Sequence, residues 1–179
     1  MTITQKVKKI WNIVSAIIVV VVVVFTVLLV GVRLFGLHPY TVLSGSMEPA
    51  YHTGSLIYVK EVKPDEVEVG QAITFVLNED LVVATHRVIE IDEENQRFYT
   101  KGDANKSADS SPVHFENLIG VPQFSIPYLG YVANFVQNPP GLYITIAAGA
   151  ILLLLMFLPE LLGVWRKEEV EQAGSENEN

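Results

Sequence analysis

No charged side chain interrupts the 23 positions between Lys9 and Arg33, and most of them are Val, Ile or Leu. A helix needs roughly 20 such residues to cross a hydrocarbon core of about 30 Å. The basic start at Lys6, Lys8 and Lys9 resembles that of a removable secretory leader. The apolar stretch is longer than the usual 7 to 15 or so, however, and no small-x-small cleavage site follows directly. The run is therefore expected to remain as an anchor.

A second uncharged run of 18 residues, Gly141 to Leu158, lies near the lower limit for a span, and Leu161, Leu162 and Trp165 extend it towards an interface. A buried core helix is the competing reading at this length. Basic residues before the first run and Arg166-Lys167 after the second favour the cytoplasmic side. The expected layout is a cytoplasmic N-terminus over 1–9, one transmembrane helix over 10–35 and a second over 139–163. An extracytoplasmic domain over 36–138 lies between them, and an acidic cytoplasmic tail over 164–179 follows.

The middle segment reads as mainly β. Leu56 to Lys60, Gln71 to Asn78, Leu81 to Ile91 and Arg97 to Lys101 are rich in β-branched and aromatic residues. Asn78-Glu79-Asp80 and Asp92 to Asn95 read as turns. The fold expected is a small antiparallel, partly closed β-barrel flanked by the two transmembrane helices. From His38 to Asn138 there are 6 Lys/Arg against 14 Asp/Glu, which argues against a nucleic-acid partner. The chain has no cysteine, so it has no disulfide support, no thiol nucleophile and no Cys-based zinc site. The polar, acidic Glu168 to Asn179 is expected to form a disordered tail.

Three short stretches carry candidate chemistry. Ser44-Gly45-Ser46, continuing as Met47-Glu48-Pro49, puts small residues around a serine just beyond the first apolar run. A serine on a glycine-assisted bend can expose its hydroxyl, and a histidine beside it can take the proton. Thr85-His86-Arg87 supplies the histidine, and Gly102-Asp103-Ala104-Asn105 with Asp109 supplies acids. Each alone is more often a turn or a structural histidine; the weight comes from their joint order of nucleophile, base and acid. Asp103, Asn105, Ser107 and Asp109 also alternate like the start of a calcium loop. Ala108 stands where that loop needs glycine and His114 where it needs glutamate, so no metal is expected. Asn105-Lys106-Ser107 is a glycosylation sequon, of use only where that machinery exists.

With Ile126-Pro127-Tyr128-Leu129-Gly130-Tyr131 added, these stretches resemble the successive boxes of signal peptidase I. They are most similar to the endoplasmic-reticulum, archaeal and Gram-positive type, in which histidine replaces the catalytic lysine. The resemblance implies Ser46 as nucleophile and His86 as general base. Asp103 and Asp109 both fall on acidic positions of the third box; the reading favours Asp109 as the acid that orients His86 and Asp103 as structural. Ser44 would assist the backbone N–H of Ser46 in an oxyanion hole, Met47 would pack under the nucleophile, and Pro49 would fix the bend that follows. The implied activity is a membrane-bound serine endopeptidase that cuts signal peptides after small residues and needs no cofactor. Its implied partners are the signal peptides of secretory preproteins, the lipid bilayer and the secretion translocon.

Geometry points to the same site of action. The 13 residues from Arg33 to Ser46 span at most about 45 Å, so the serine works close to the membrane surface. The strand leading into His86, with Leu81, Val82, Val83, Ala84 and Thr85, is the expected substrate-binding edge, its side chains lining shallow pockets. A plain core strand is the competing reading of that run. Two other classes remain open. One is a non-catalytic tethered β-domain acting as a secretion subunit or scaffold. The other is a self-cleaving regulatory protease, which would normally use lysine and a soluble partner domain.

Overall fold

The computed structural model describes residues 3–77 and 82–157, with side chains from Lys9 onward. Contacts divide these residues into two units. Val22–Asn134 is one, and the earlier part of the first helix with the residues from Phe135 onward forms the other. The turn expected at 78–80, Leu81, the end of the second apolar run and the acidic tail lie outside the described residues.

The first helix, α1 (Ile3–Leu29), contains most of the apolar run. Its section Lys9–Leu29 is 21 residues long and carries its apolar side chains outward, Ile10, Ile17 and Val20 among the most exposed. Such a surface is unfavourable in water, and β-branched valines are mediocre helix formers. In hydrocarbon the helix wins because it satisfies every backbone polar group internally. Thr26 follows the same rule, its Oγ1 donating to the Val22 carbonyl at 2.8 Å. The helix ends short of the expected boundary at residue 35: a 3-10 turn (Gly31–Phe35) follows, and Gly36 closes it in the left-handed region. Among the described residues, Lys9–Leu29 is the one helix that is by itself long and apolar enough to cross a membrane.

Seven strands follow: β1 (Leu37–Thr41), β2 (Leu56–Lys60), β3 (Ala72–Val76), β4 (Val83–Asp92), β5 (Arg97–Lys101), β6 (Val113–His114) and β7 (Leu118–Ile126). They form a mainly antiparallel half-barrel in the order β1-β2-β7-β3-β4-β5-β6. The reading of Leu56 to Lys60 and Arg97 to Lys101 coincides with β2 and β5. The other two ranges are trimmed to 72–76 and shifted to 83–92. The turn at 92–95 is closed by Asp92, whose carboxylate accepts from the Asn95 backbone and side-chain amides.

Two longer strands escaped the sequence reading because each contains a proline. Pro39 lies on β1, an edge strand, where a missing N–H costs little. Pro122 lies on β7, which pairs with β3 through Leu118 and Gly120 and with β2 from Val121 onward. Pro122 falls where the β2 register slips between Tyr58 and Val59. The irregularity absorbs the proline.

The part expected to be β up to 138 also contains a helix, α2 (Leu129–Gln137), which buries Leu129, Gly130 and Ala133. Leu129 and Ala133 join Leu56 and Tyr58 in one core cluster, against which Leu28, Leu29 and Val32 pack. A second cluster, centred on Ile73, Phe75, Val88 and Phe98, fills the curve of the sheet under β3, β4 and β5. A further helix, α3 (Gly141–Phe157), covers most of the second apolar run. It meets the length and composition of a span only if α2 and α3 count as one bent segment.

Candidate active site

The serine loop runs from the end of β1 to the start of β2 and is closed at its neck by Val42 N–H to Ser55 O (2.9 Å) and Gly54 N–H to Val42 O (2.8 Å). Inside it, Glu48 N–H donates to Gly45 O and Tyr51 N–H to Met47 O. Met47 is buried and Ser44 is exposed. The bend does not depend on Gly45: its backbone is outside the left-handed region, and a Cβ there would meet Glu48 Cγ at an ordinary 3.4 Å. The glycine the loop requires is Gly54, at φ +82, where the Tyr131 ring occupies the space a Cβ would need.

His86 sits on β4, opposite Ile73 of β3, with its ring in T-shaped contact with Phe75. Its Nε2 lies 3.2 Å from Ser46 Oγ, and its side chain is only 15% exposed. β4 changes partners at this point. Val83 to Arg87 pair with β3 and Arg87 onward pair with β5, so the stretch before Arg87 meets the groove along its other side.

The loop after β5 completes the site. Ala104 N–H donates to Ser46 O at 2.9 Å, so this loop rests on the backbone of the serine itself. Gly102 makes the approach possible, since a Cβ there would lie 2.7 Å from Ser46 O. The chain then returns to Thr100, whose carbonyl accepts the Asp109 N–H at 2.9 Å. Asp109 Oδ2 accepts from His86 Nδ1 at 2.6 Å and from Thr100 Oγ1 at 2.7 Å. A carboxylate facing Nδ1 fixes the proton there and leaves the Nε2 lone pair pointing at Ser46. Ser46 then donates its hydroxyl proton to Nε2. Ser44, whose Oγ is 3.2 Å from Ser46 Oγ, is left as the donor in that contact.

Asp103 faces elsewhere. Its two carboxylate oxygens accept from Arg87 Nε (2.7 Å) and Nη2 (2.6 Å), while Arg87 Nη1 donates to Gly70 O. The Arg87 hydrogen bonds hold the Asp103 carboxyl below its usual range and raise the guanidinium further. Tyr51, half-buried beside this pair, has its phenol pushed up, mainly by desolvation. Asp103 is thus held by a cross-strand grip, and Asn105 N–H closes the turn on Gly102 O.

Ser44, Ser46, His86 and Asp109 open onto a groove of about 920 Å³. Of the expected substrate-binding residues, Val82, Val83, Ala84 and Thr85 line it, and Leu81 lies outside the described residues. The opposite wall, from Tyr40 to Leu43 at the end of β1, was not anticipated. Nor were Arg87 and Thr100. Arg87 had one sequence signal, its place directly after the histidine; Thr100 had none, since a threonine in a strand is ordinary.

Residues 10–101, just over half of the chain, match the family described as signal peptidase, peptidase S26. The chain belongs to that family. Among curated proteins it is 43% identical over 121 residues to signal peptidase I W of Bacillus subtilis, covering 62% of this chain and 63% of that protein. It is 30% identical over 125 residues to signal peptidase complex catalytic subunit SEC11C of Rattus norvegicus, covering 63% and 65%. The human protein of that name matches equally. The matched stretches thus span somewhat under two thirds of these relatives. The peptidase S26 match includes Ser46 and His86 and stops before Asp103 and Asp109.

Proposed function

We propose that this member of the signal peptidase family is a membrane-anchored serine endopeptidase that removes N-terminal signal peptides from exported preproteins. The observation that carries the reading is the chain of contacts from Ser46 Oγ to His86 Nε2 at 3.2 Å and from His86 Nδ1 to Asp109 Oδ2 at 2.6 Å. Ser46 Oγ attacks the scissile carbonyl carbon as its proton passes to His86 Nε2. The backbone N–H of Ser46 and the Ser44 hydroxyl receive the developing oxyanion, the former contribution being on the order of 3 kcal/mol for such a donor. The imidazolium then protonates the departing amine, leaving the signal peptide esterified to Ser46. Water, deprotonated by His86, hydrolyses that ester and regenerates the serine. Asp109 remains ionised and holds the ring.

The substrate lies extended along the exposed side of β4 beside Val83 and Ala84, where the groove suits small side chains before the cut. Lys9–Leu29 spans the bilayer, the second apolar run returns to the same side, and the half-barrel faces outward; the basic flanks support that orientation. The translocon is the partner that would deliver precursors to such a site.

The test is processing of a synthetic precursor by the full chain in detergent. Wild-type protein is expected to cut it, and Ser46→Ala and His86→Ala each to abolish cleavage, with the double variant little worse than either single because the groups act as a unit. An intact wild-type protein that cuts no precursor would instead indicate a tethered, non-catalytic subunit.

A further inference from the structure

Asp109 is held by one residue at two points. The Thr100 carbonyl accepts its backbone N–H at 2.9 Å, and the Thr100 hydroxyl donates to its Oδ2 at 2.7 Å. That oxygen is the same one that faces His86 Nδ1. Thr100 is only 2% exposed and lies on β5 opposite Val88, two residues beyond His86 on β4. One stretch of sheet therefore sets the height of both the imidazole and the group that grips its carboxylate. β-Branching restricts the threonine rotamer, so the hydroxyl is directed rather than free to swing.

We propose that Thr100 is a positioning residue for the Ser46–His86–Asp109 arrangement, acting through Asp109. The inference rests on the catalytic reading above. Asp109 reaches the histidine from a loop, and a carboxylate on a loop can rotate about its last torsion to offer either oxygen, or neither, to the ring. Thr100 removes that freedom: with backbone and Oδ2 both fastened, the carboxylate plane is fixed and Oδ2 faces Nδ1. The ring is thereby kept in the tautomer whose Nε2 can accept the serine proton. Thr100 touches neither the nucleophile nor the substrate groove, so its influence falls on the chemical step and not on substrate binding.

The test compares Thr100→Val, which keeps the shape and deletes the donor, with Thr100→Ser, which keeps the donor. Two readouts are taken on full-length protein in detergent. In precursor cleavage, Thr100→Val is expected to lower kcat about tenfold or more with KM unchanged, since a hydrogen bond to a charged partner is lost, and Thr100→Ser is expected to restore most of the rate. The ring nitrogen NMR shifts of His86 report the tautomer without any substrate. Wild type and Thr100→Ser are expected to hold the proton on Nδ1, and Thr100→Val to show a mixed population. An unchanged tautomer in Thr100→Val overturns the proposal whether or not any precursor is cut; so does equal loss of kcat in both variants. Failure of wild-type cleavage alone counts against the proposed function, while the NMR comparison still decides the role of Thr100.

Discussion

Arg87 grips both oxygens of Asp103, Nε to Oδ1 at 2.7 Å and Nη2 to Oδ2 at 2.6 Å, and so commits that aspartate to the strand position next to His86 instead of to His86 itself. The two acids of the third box are thus divided, six residues apart in the chain, between an arginine and an imidazole. The division predicts that mutation to asparagine separates them. Asp109→Asn removes the charge facing Nδ1 and allows the wrong tautomer, a change that costs about four orders of magnitude in kcat in a comparable triad. Asp103→Asn keeps one acceptor for Arg87 and is expected to lose far less rate and more thermal stability. Cleavage rate and thermal midpoint of both variants decide the assignment, and the reverse ranking would transfer the orienting role to Asp103.

The same ion pair gives a pH dependence of stability. Folding lowers the Asp103 pKa, chiefly through the Arg87 hydrogen bonds. Its contribution is therefore complete above the unfolded-chain value of about 3.9 and is lost as pH falls below that towards the folded value. Denaturation followed from about pH 6 to pH 3 is expected to show a smaller acid-induced loss in Asp103→Asn than in wild type. Parallel curves would mean that the pair contributes nothing to this transition.

Gly102 is expected to tolerate no side chain. An alanine Cβ would stand 2.7 Å from the Ser46 carbonyl oxygen, so the loop after β5 or the serine loop must move. Misplacement of a reacting group by a fraction of an ångström to 1 Å is worth up to about a hundredfold, and Gly102→Ala is expected to lose ten- to a hundredfold in kcat. Gly45→Ala is the control, because its Cβ meets only ordinary contacts, and its thermal midpoint should match wild type. Full activity in Gly102→Ala would show that the two loops are not tightly coupled.

Tyr58 ties the sheet to the end of α1. It is fully buried on β2, stacks on Phe124, and donates its hydroxyl to the Leu28 carbonyl at 3.0 Å, near the last turn of α1, where carbonyls lack helical partners. Tyr58→Phe is expected to cost about 1 kcal/mol of stability. Chemical denaturation of the detergent-solubilised protein measures it; an unchanged midpoint would assign the anchoring to the surrounding apolar contacts alone.

The chain's own sequence determined whatever depends on near neighbours. Most of the uncharged run of 23 residues becomes a membrane-length helix, and stretches rich in β-branched and aromatic residues such as Leu56 to Lys60 and Arg97 to Lys101 become strands, because composition and pattern act over near neighbours. The serine and histidine stood out for the same reason, each in a short characteristic stretch. Where the local signal was interrupted, by Pro39 in β1 and Pro122 in β7, pairing with neighbours overrode it. Only the tertiary structure shows which side chain each of Asp103 and Asp109 meets. Both carboxylates fall on acidic positions of the third box, and although the sequence reading leaned to Asp109, the actual contacts rest on sheet register, which sets Arg87 opposite Lys101 and Val88 opposite Thr100. Successive residues of a strand point to opposite faces, so His86 and Arg87 reach different acids. Thr100 was invisible for the same physical reason: its hydroxyl acquires a purpose only when a loop nine residues later folds back to meet it.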